Sequence, residues 1–114
     1  MKTTPIVTRD SLQTMLDSNN SAFVAQVIGR GLWGIFQRQT EDEKEINTTN
    51  KYNGIGFTGA DAFGGSLTAK FWRKHGKLLD WQIAKWTKKG KNGYARLCKY
   101  HKQLNEIALE KQNG

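Results

Sequence analysis

Apolar residues return at three- and four-residue intervals through most of this chain. Leu12, Met15 and Leu16 share one face of a short helix that Thr8 or Asp10 can cap and that ends by about Ser18. "DSNNS" interrupts the pattern, and Asn20 or Ser21 can cap a second helix. Beyond it Phe23, Val24, Val27, Leu32, Ile35, Phe36 and Gln39 keep helical spacing. Gly29, Gly31 and Gly34 oppose it, each costing about 1 kcal/mol relative to alanine inside a helix. The segment therefore reads as one long helix packed closely on a neighbour through its glycines, or as a helix broken near Gly29 to Gly31. A β-hairpin over Phe23–Phe36 is the weaker third reading.

"EDEKEINTTNKYNGIGFTG" has no period and reads as loop. A third helix follows in "SLTAKFWRKHG", with Ser66 as cap, Leu67 and Phe71 four apart, and Gly76 where a C-terminus favours glycine. In "LLDWQIAKWTKKG", Asp80 can cap a fourth, with Ile83, Ala84 and Trp86 apolar and lysines in the last turn, where they suit the macrodipole. "GYARLCKYHKQLNEIALEKQ" aligns Leu97, Tyr100, Leu104, Ile107 and Ala108 on one stripe of a final helix. The fold expected is mainly α, a small single-domain helical bundle with a glycine-rich loop between its N- and C-terminal helices.

With 114 residues and 37% apolar content, the core must be modest. A single cysteine, Cys98, excludes an intramolecular disulfide and fits a reducing compartment. Neither a signal peptide nor a membrane span is apparent, so a cytoplasmic protein with no membrane contact is expected.

The charge changes the picture. Of the net +8, none resides in residues 1–57, where six basic residues meet six acidic ones, whereas residues 58–114 hold twelve basic residues against four acids. Such a one-signed field attracts polyanions. Eleven of the twelve lie between Lys70 and Lys102: Lys70, Arg73, Lys74, Lys77, Lys85, Lys88, Lys89, Lys91, Arg96, Lys99 and Lys102. Lysine and arginine neutralise phosphates, and exposed aromatics stack on unpaired bases, so a nucleic acid is the expected partner, with single strands favoured. Trp72, Trp81 and Tyr94 are the candidate stacking residues. Each tryptophan taken alone also suits a core: Trp86 fits the buried face of its helix, and Trp72 neighbours Phe71. "TKKGKNG" puts three lysines on a glycine-punctuated turn and is the sharpest local candidate for phosphate contact. A helix-turn-helix drawn from Asp80–Lys89 and Tyr94–Glu110 would have an unusually long turn, so backbone contact without base specificity is the firmer expectation.

Other chemistry is poorly supported. Gly54, Gly56 and Gly59 have G-x-G-x-x-G spacing, yet no strand precedes them and no Lys-Ser/Thr follows, so no nucleotide cofactor is expected. Their glycines suit tight turns, or close packing where Phe57 and Phe63 enter the core, and the loop could also offer backbone N–H groups to a phosphate. Cys98 and His101 could supply two metal ligands, but a structural zinc needs four and only His75 remains. Cys98 with either histidine lacks a recognisable oxyanion hole. The run Glu41, Asp42, Glu43 and Glu45 reads as a solvated helix end. No catalytic residues are assigned, and an enzyme is not expected.

Finally, "RQTEDE", "NGIGFTGADAFGGSLTAKFW", "GKLLDWQIAKW" and "RLCKYHKQLNEIA" together resemble small proteins carried by bacteriophages and plasmids. The resemblance covers roughly Gln37 to Ala108 and transfers no site residue. It implies a mobile-element protein in a bacterial host, handling nucleic acid or, alternatively, acting as an anti-CRISPR-like inhibitor or adaptor on a host protein complex.

Overall fold

The computed structural model describes residues 6–46 and 56–113, and within them the protein is mainly helical, with no strand. Helix α1 (Arg9–Leu16) starts at Thr8 with a reciprocal cap: Thr8 Oγ1 accepts from the Ser11 amide at 3.0 Å, and Ser11 Oγ accepts from the Thr8 amide at 2.9 Å. Helix α2 (Ser21–Ile46) is capped by Asn20, whose Oδ1 accepts from the Phe23 amide at 3.1 Å. It runs unbroken through its glycines and on into the "EDEKE" segment expected to be loop, because glutamate and lysine are good helix formers.

The glycines of α2 are explained by their neighbours. A Cβ on Gly29 would lie 2.2 Å from the Trp72 ring, while Cβ atoms on Gly31 and Gly34 would meet Leu104 at 3.3 Å and Ile107 at 3.1 Å. Absence of a side chain at Gly29 lets the indole of the third helix lie on the α2 backbone, and the C-terminal helix approaches beside it.

Helix α3 (Ala62–His75) ends at Gly76 as expected but begins four residues before Ser66. That start sets its register. Gly65, Thr68 and Ala69 turn inward, and Phe63, expected in the core, stands 78% exposed. Phe57 does enter the core, edge-on to Tyr100 with ring centroids 5.7 Å apart. Helix α4 (Asp80–Thr87) starts one residue before its expected first turn: Leu79 occupies the cap position, and its amide donates to Gln82 Oε1 at 2.8 Å.

The expected final helix from Tyr94 is split. A 3₁₀ turn spans Arg96–Tyr100 before α5 (His101–Asn113), and Tyr94 belongs to a hairpin, so the helix-turn-helix does not form. Leu12 and Leu16 of α1, Ile28 and Leu32 of α2, Trp86 of α4 and Leu97 of the 3₁₀ turn share one core, which joins the neutral and basic halves of the chain. The segment before α1 is tied to α5, where Asn105 Oδ1 accepts from the amides of Ile6 and Val7 at 2.7 and 2.9 Å.

Candidate functional site

Between α4 and the 3₁₀ turn, the lysine-rich segment folds back on itself. The Arg96 amide donates to Lys88 O at 3.0 Å, the Gly90 amide to Tyr94 O at 3.0 Å, and the Gly93 amide to Gly90 O at 3.0 Å. This is a hairpin with a three-residue loop, Lys91-Asn92-Gly93, in which Gly93 takes the left-handed conformation (φ 80°) such loops require. Asn92 Oδ1 accepts from the Tyr94 amide at 3.0 Å and fixes the tip. Behind the hairpin, Gln13 Oε1 of α1 accepts from the Ala95 amide at 2.7 Å and binds the two elements together.

The hairpin forms one wall of an open groove of about 750 Å³. Arg9, Lys85, Lys88, Lys89, Arg96 and Lys99 line it, with Asn92, Tyr94 and His101, and no acidic residue lines it among the described residues. Five of these cations were expected from sequence; Arg9 was not, because it lies on α1, in the half of the chain with no net charge. Lys89 reaches Asp17 only at 3.9 Å, and both side chains are more than half exposed, so this pair leaves the lysine available to an anion. Tyr94 donates to Asp10 Oδ1 at 2.5 Å, and the Arg9 guanidinium stands 4.5 Å from its ring centroid. The ring face is thus shared with Arg9, and acceptance by Asp10 raises the phenol above its ordinary range.

Beneath the groove lies Asp61, 1% exposed, at the N-terminus of α3. Its Oδ1 accepts from Arg96 Nε at 2.8 Å and from Arg96 Nη2, and its Oδ2 accepts from the Tyr100 hydroxyl at 2.6 Å and pairs with Lys99 Nζ at 2.7 Å. The Thr58 amide in turn donates to the Tyr100 oxygen at 3.1 Å. Burial by itself would raise the carboxyl, but hydrogen bonds from Lys99, Tyr100 and Arg96 outweigh it and hold Asp61 at about 2. Burial, then acceptance by Asp61, pushes the Tyr100 phenol up. A fully ionised carboxylate therefore anchors two of the groove's cations from behind, while the Arg96 and Lys99 side chains remain 39% and 44% exposed. Arg96 also spans the Trp86 ring at 5.7 Å.

The other expected residues lie elsewhere. Lys91 is exposed at the hairpin tip. On α3, Lys70 stands 5.3 Å from the Phe36 ring and Arg73 5.8 Å from the Trp33 ring, with Lys74 and Lys77 exposed beyond them. Lys102 borders a separate depression with Asn105 and Glu106. The basic C-terminal half is thus divided, with only part of it gathered in the groove. Trp72 is half-buried, its ring laid on Gly29 at the α2–α3 contact, away from the groove. Trp81 is 63% exposed.

Asp61, Thr58 and Asn92 were not anticipated, although "NG" at Asn92-Gly93 is a hairpin signal legible in the sequence. Cys98 is fully buried, with its thiol raised by burial and directed at Gln13 Oε1 at 3.6 Å, a setting opposed to the exposed thiolate a nucleophile needs. Burial, then Arg9 and Lys102, lowers His101. Among the described residues no three potential ligands cluster for a metal, and no helix is long and apolar enough to cross a membrane. Comparison of the chain with protein families, curated proteins and solved structures gives no match.

Proposed function

We propose that this protein binds nucleic acid by gripping phosphates in the groove between α1, α4 and the hairpin. The observation carrying this reading is the convergence of six lysine and arginine side chains on one open groove with no acid among its lining residues. Phosphate contact by such residues releases counterions and supplies affinity independent of sequence. Arg96 is planar and multidentate, suited to phosphate oxygens, and Asp61 holds it in place before any ligand arrives. In a bacterial host, as the resemblance to phage and plasmid proteins implies, the partner is DNA or RNA of the host or of the element.

Fluorescence anisotropy with labelled DNA and RNA at about 50 and 200 mM salt tests this, since that interval removes most phosphate-borne affinity. The expected result is a steep loss with salt. Lys88→Glu combined with Lys89→Glu reduces the log–log slope by about 2, roughly one unit per phosphate contact, while the melting temperature is retained. An unaltered slope in that variant would remove the hairpin from the interface.

A further inference from the structure

A second surface adjoins the groove. Phe63 and Leu67 of α3 and Trp81 of α4 stand 78%, 52% and 63% exposed, around a shallow depression of about 340 Å³ whose wall also includes Phe71 and Lys85. Large apolar side chains clustered in the open mark a contact surface, where singly scattered ones would not. The core does not need them, because the inward stripe of α3 is already formed by Gly65, Thr68 and Ala69.

Two features say what covers this surface. Lys85 lines both the depression and the basic groove, so the two are continuous. Trp81 and Lys85 are also four apart on α4, which places them on one helical face about 6 Å apart along the axis, and Lys88, at the helix C-cap, follows at the groove. A chain molecule lying along that face meets cations at one end and aromatic rings at the other. Duplex DNA shows phosphates outward but keeps its base faces stacked inside, so it could use only the groove. An unpaired strand offers both phosphates and free base faces, which stack on aromatic rings whatever the base.

We infer that the ligand is a single strand whose bases stack on Trp81 and Phe63 while its phosphates enter the groove. Phe63, Leu67 and Trp81 thus form a base platform, and the site discriminates unpaired from paired nucleic acid by shape and stacking rather than by sequence. This inference rests on the nucleic-acid reading of the groove and adds to it the form of the ligand.

The test compares labelled oligothymidylate with its duplex with oligoadenylate, at one low salt concentration, for the wild-type chain and for Trp81→Ala, Phe63→Ala and Trp81→Phe. Both sites are exposed, so the alanine variants should retain the wild-type melting temperature. The single strand is expected to bind more tightly than the duplex. Each alanine variant should weaken single-strand binding roughly 5- to 150-fold, the range measured for loss of one stacked base, while leaving duplex binding unchanged. Trp81→Phe should restore most of the loss, because a ring and not an indole N–H is required. Equal losses for both forms, or no loss for either, would overturn the platform and leave the groove standing. Recovery of a protein from nuclease-treated lysate, abolished by Trp81→Ala without any change in oligothymidylate binding, would assign the patch to a protein instead. If the wild-type chain binds neither form, the groove reading fails and the platform with it.

Discussion

Asp61 is the residue on which most of the site's geometry depends. Its side chain is wholly buried, it accepts from three neighbours on the 3₁₀ turn, and it is held at about 2 against an ordinary 3.8. A carboxyl lowered on folding contributes stability above its unfolded value and loses it as pH falls through the folded value. Asp61 therefore supplies about 2.5 kcal/mol at neutral pH that disappears progressively between about pH 5 and about pH 1. In urea titrations across that range, Asp61→Asn should be less stable at pH 7 by roughly 2–3 kcal/mol and should lack this part of the acid slope. That cost is below the 3–5 kcal/mol of a fully buried broken pair, because Arg96 and Lys99 retain water. A variant with the wild-type slope would show that the acid sensitivity originates elsewhere.

At the scale of elements, the α2–α3 contact depends on a missing side chain. Alanine at Gly29 improves helix propensity by about 1 kcal/mol but brings a Cβ within 2.2 Å of the Trp72 ring, which has no flexible end to yield. Overpacking at a rigid neighbour costs about 1–3 kcal/mol, so Gly29→Ala should be destabilising on balance. At Gly34 the nearest atom is the Cδ1 of Ile107 at 3.1 Å, the end of a side chain that can rotate, and Gly34→Ala should be neutral or stabilising by up to about 1 kcal/mol. Urea midpoints for the two variants are expected to move apart; parallel shifts would contradict the close approach of the indole. The hairpin is a second case in which element type follows from local chemistry, since the Asn92-Gly93 dipeptide closes a three-residue loop and aims Lys88 and Lys89 at the groove.

Over the whole molecule, the charge excess is spread more widely than the groove. Lys70 and Arg73 lie against the rings of Phe36 and Trp33, away from the lining residues. Lys70→Glu with Arg73→Glu changes the net charge as much as Lys88→Glu with Lys89→Glu does. If binding followed total charge, both pairs would weaken it alike. Phosphate contact in the groove instead predicts that the α3 pair leaves the salt slope near the wild-type value while the hairpin pair lowers it by about 2, as measured by anisotropy. Equal reductions would assign binding to the diffuse field.

Much of the fold was legible in the chain. Thr8, Asn20 and Gly76 mark helix boundaries through local hydrogen bonding and backbone preference, and these are encoded within a few residues. The basic bias toward the C-terminal half is likewise a property of sequence alone. The start of α3 was misplaced because Gly64 and Gly65 argue against helix by propensity, whereas Gly65 faces Phe57 so closely that a Cβ there would lie 2.6 Å from its ring. Phe63, expected to enter the core from a glycine-rich loop, instead lies in the first turn of α3 and stands at the surface. The 3₁₀ turn escaped notice because its Leu97 and Tyr100 keep a spacing that α-helix also satisfies.

The sequence by itself thus determined the helical class, the caps of α1 and α2, the end of α3 and the sign of the surface charge, all of which depend on near neighbours and on composition. Only the tertiary structure decided which cations act together. Arg9 meets Lys88 and Arg96 through the packing of α1 on the hairpin, and Asp61 finds Arg96, Lys99 and Tyr100 across 35 to 39 residues of chain. No spacing rule reports such contacts, because burying a carboxylate is favourable only once its partners have been brought around it.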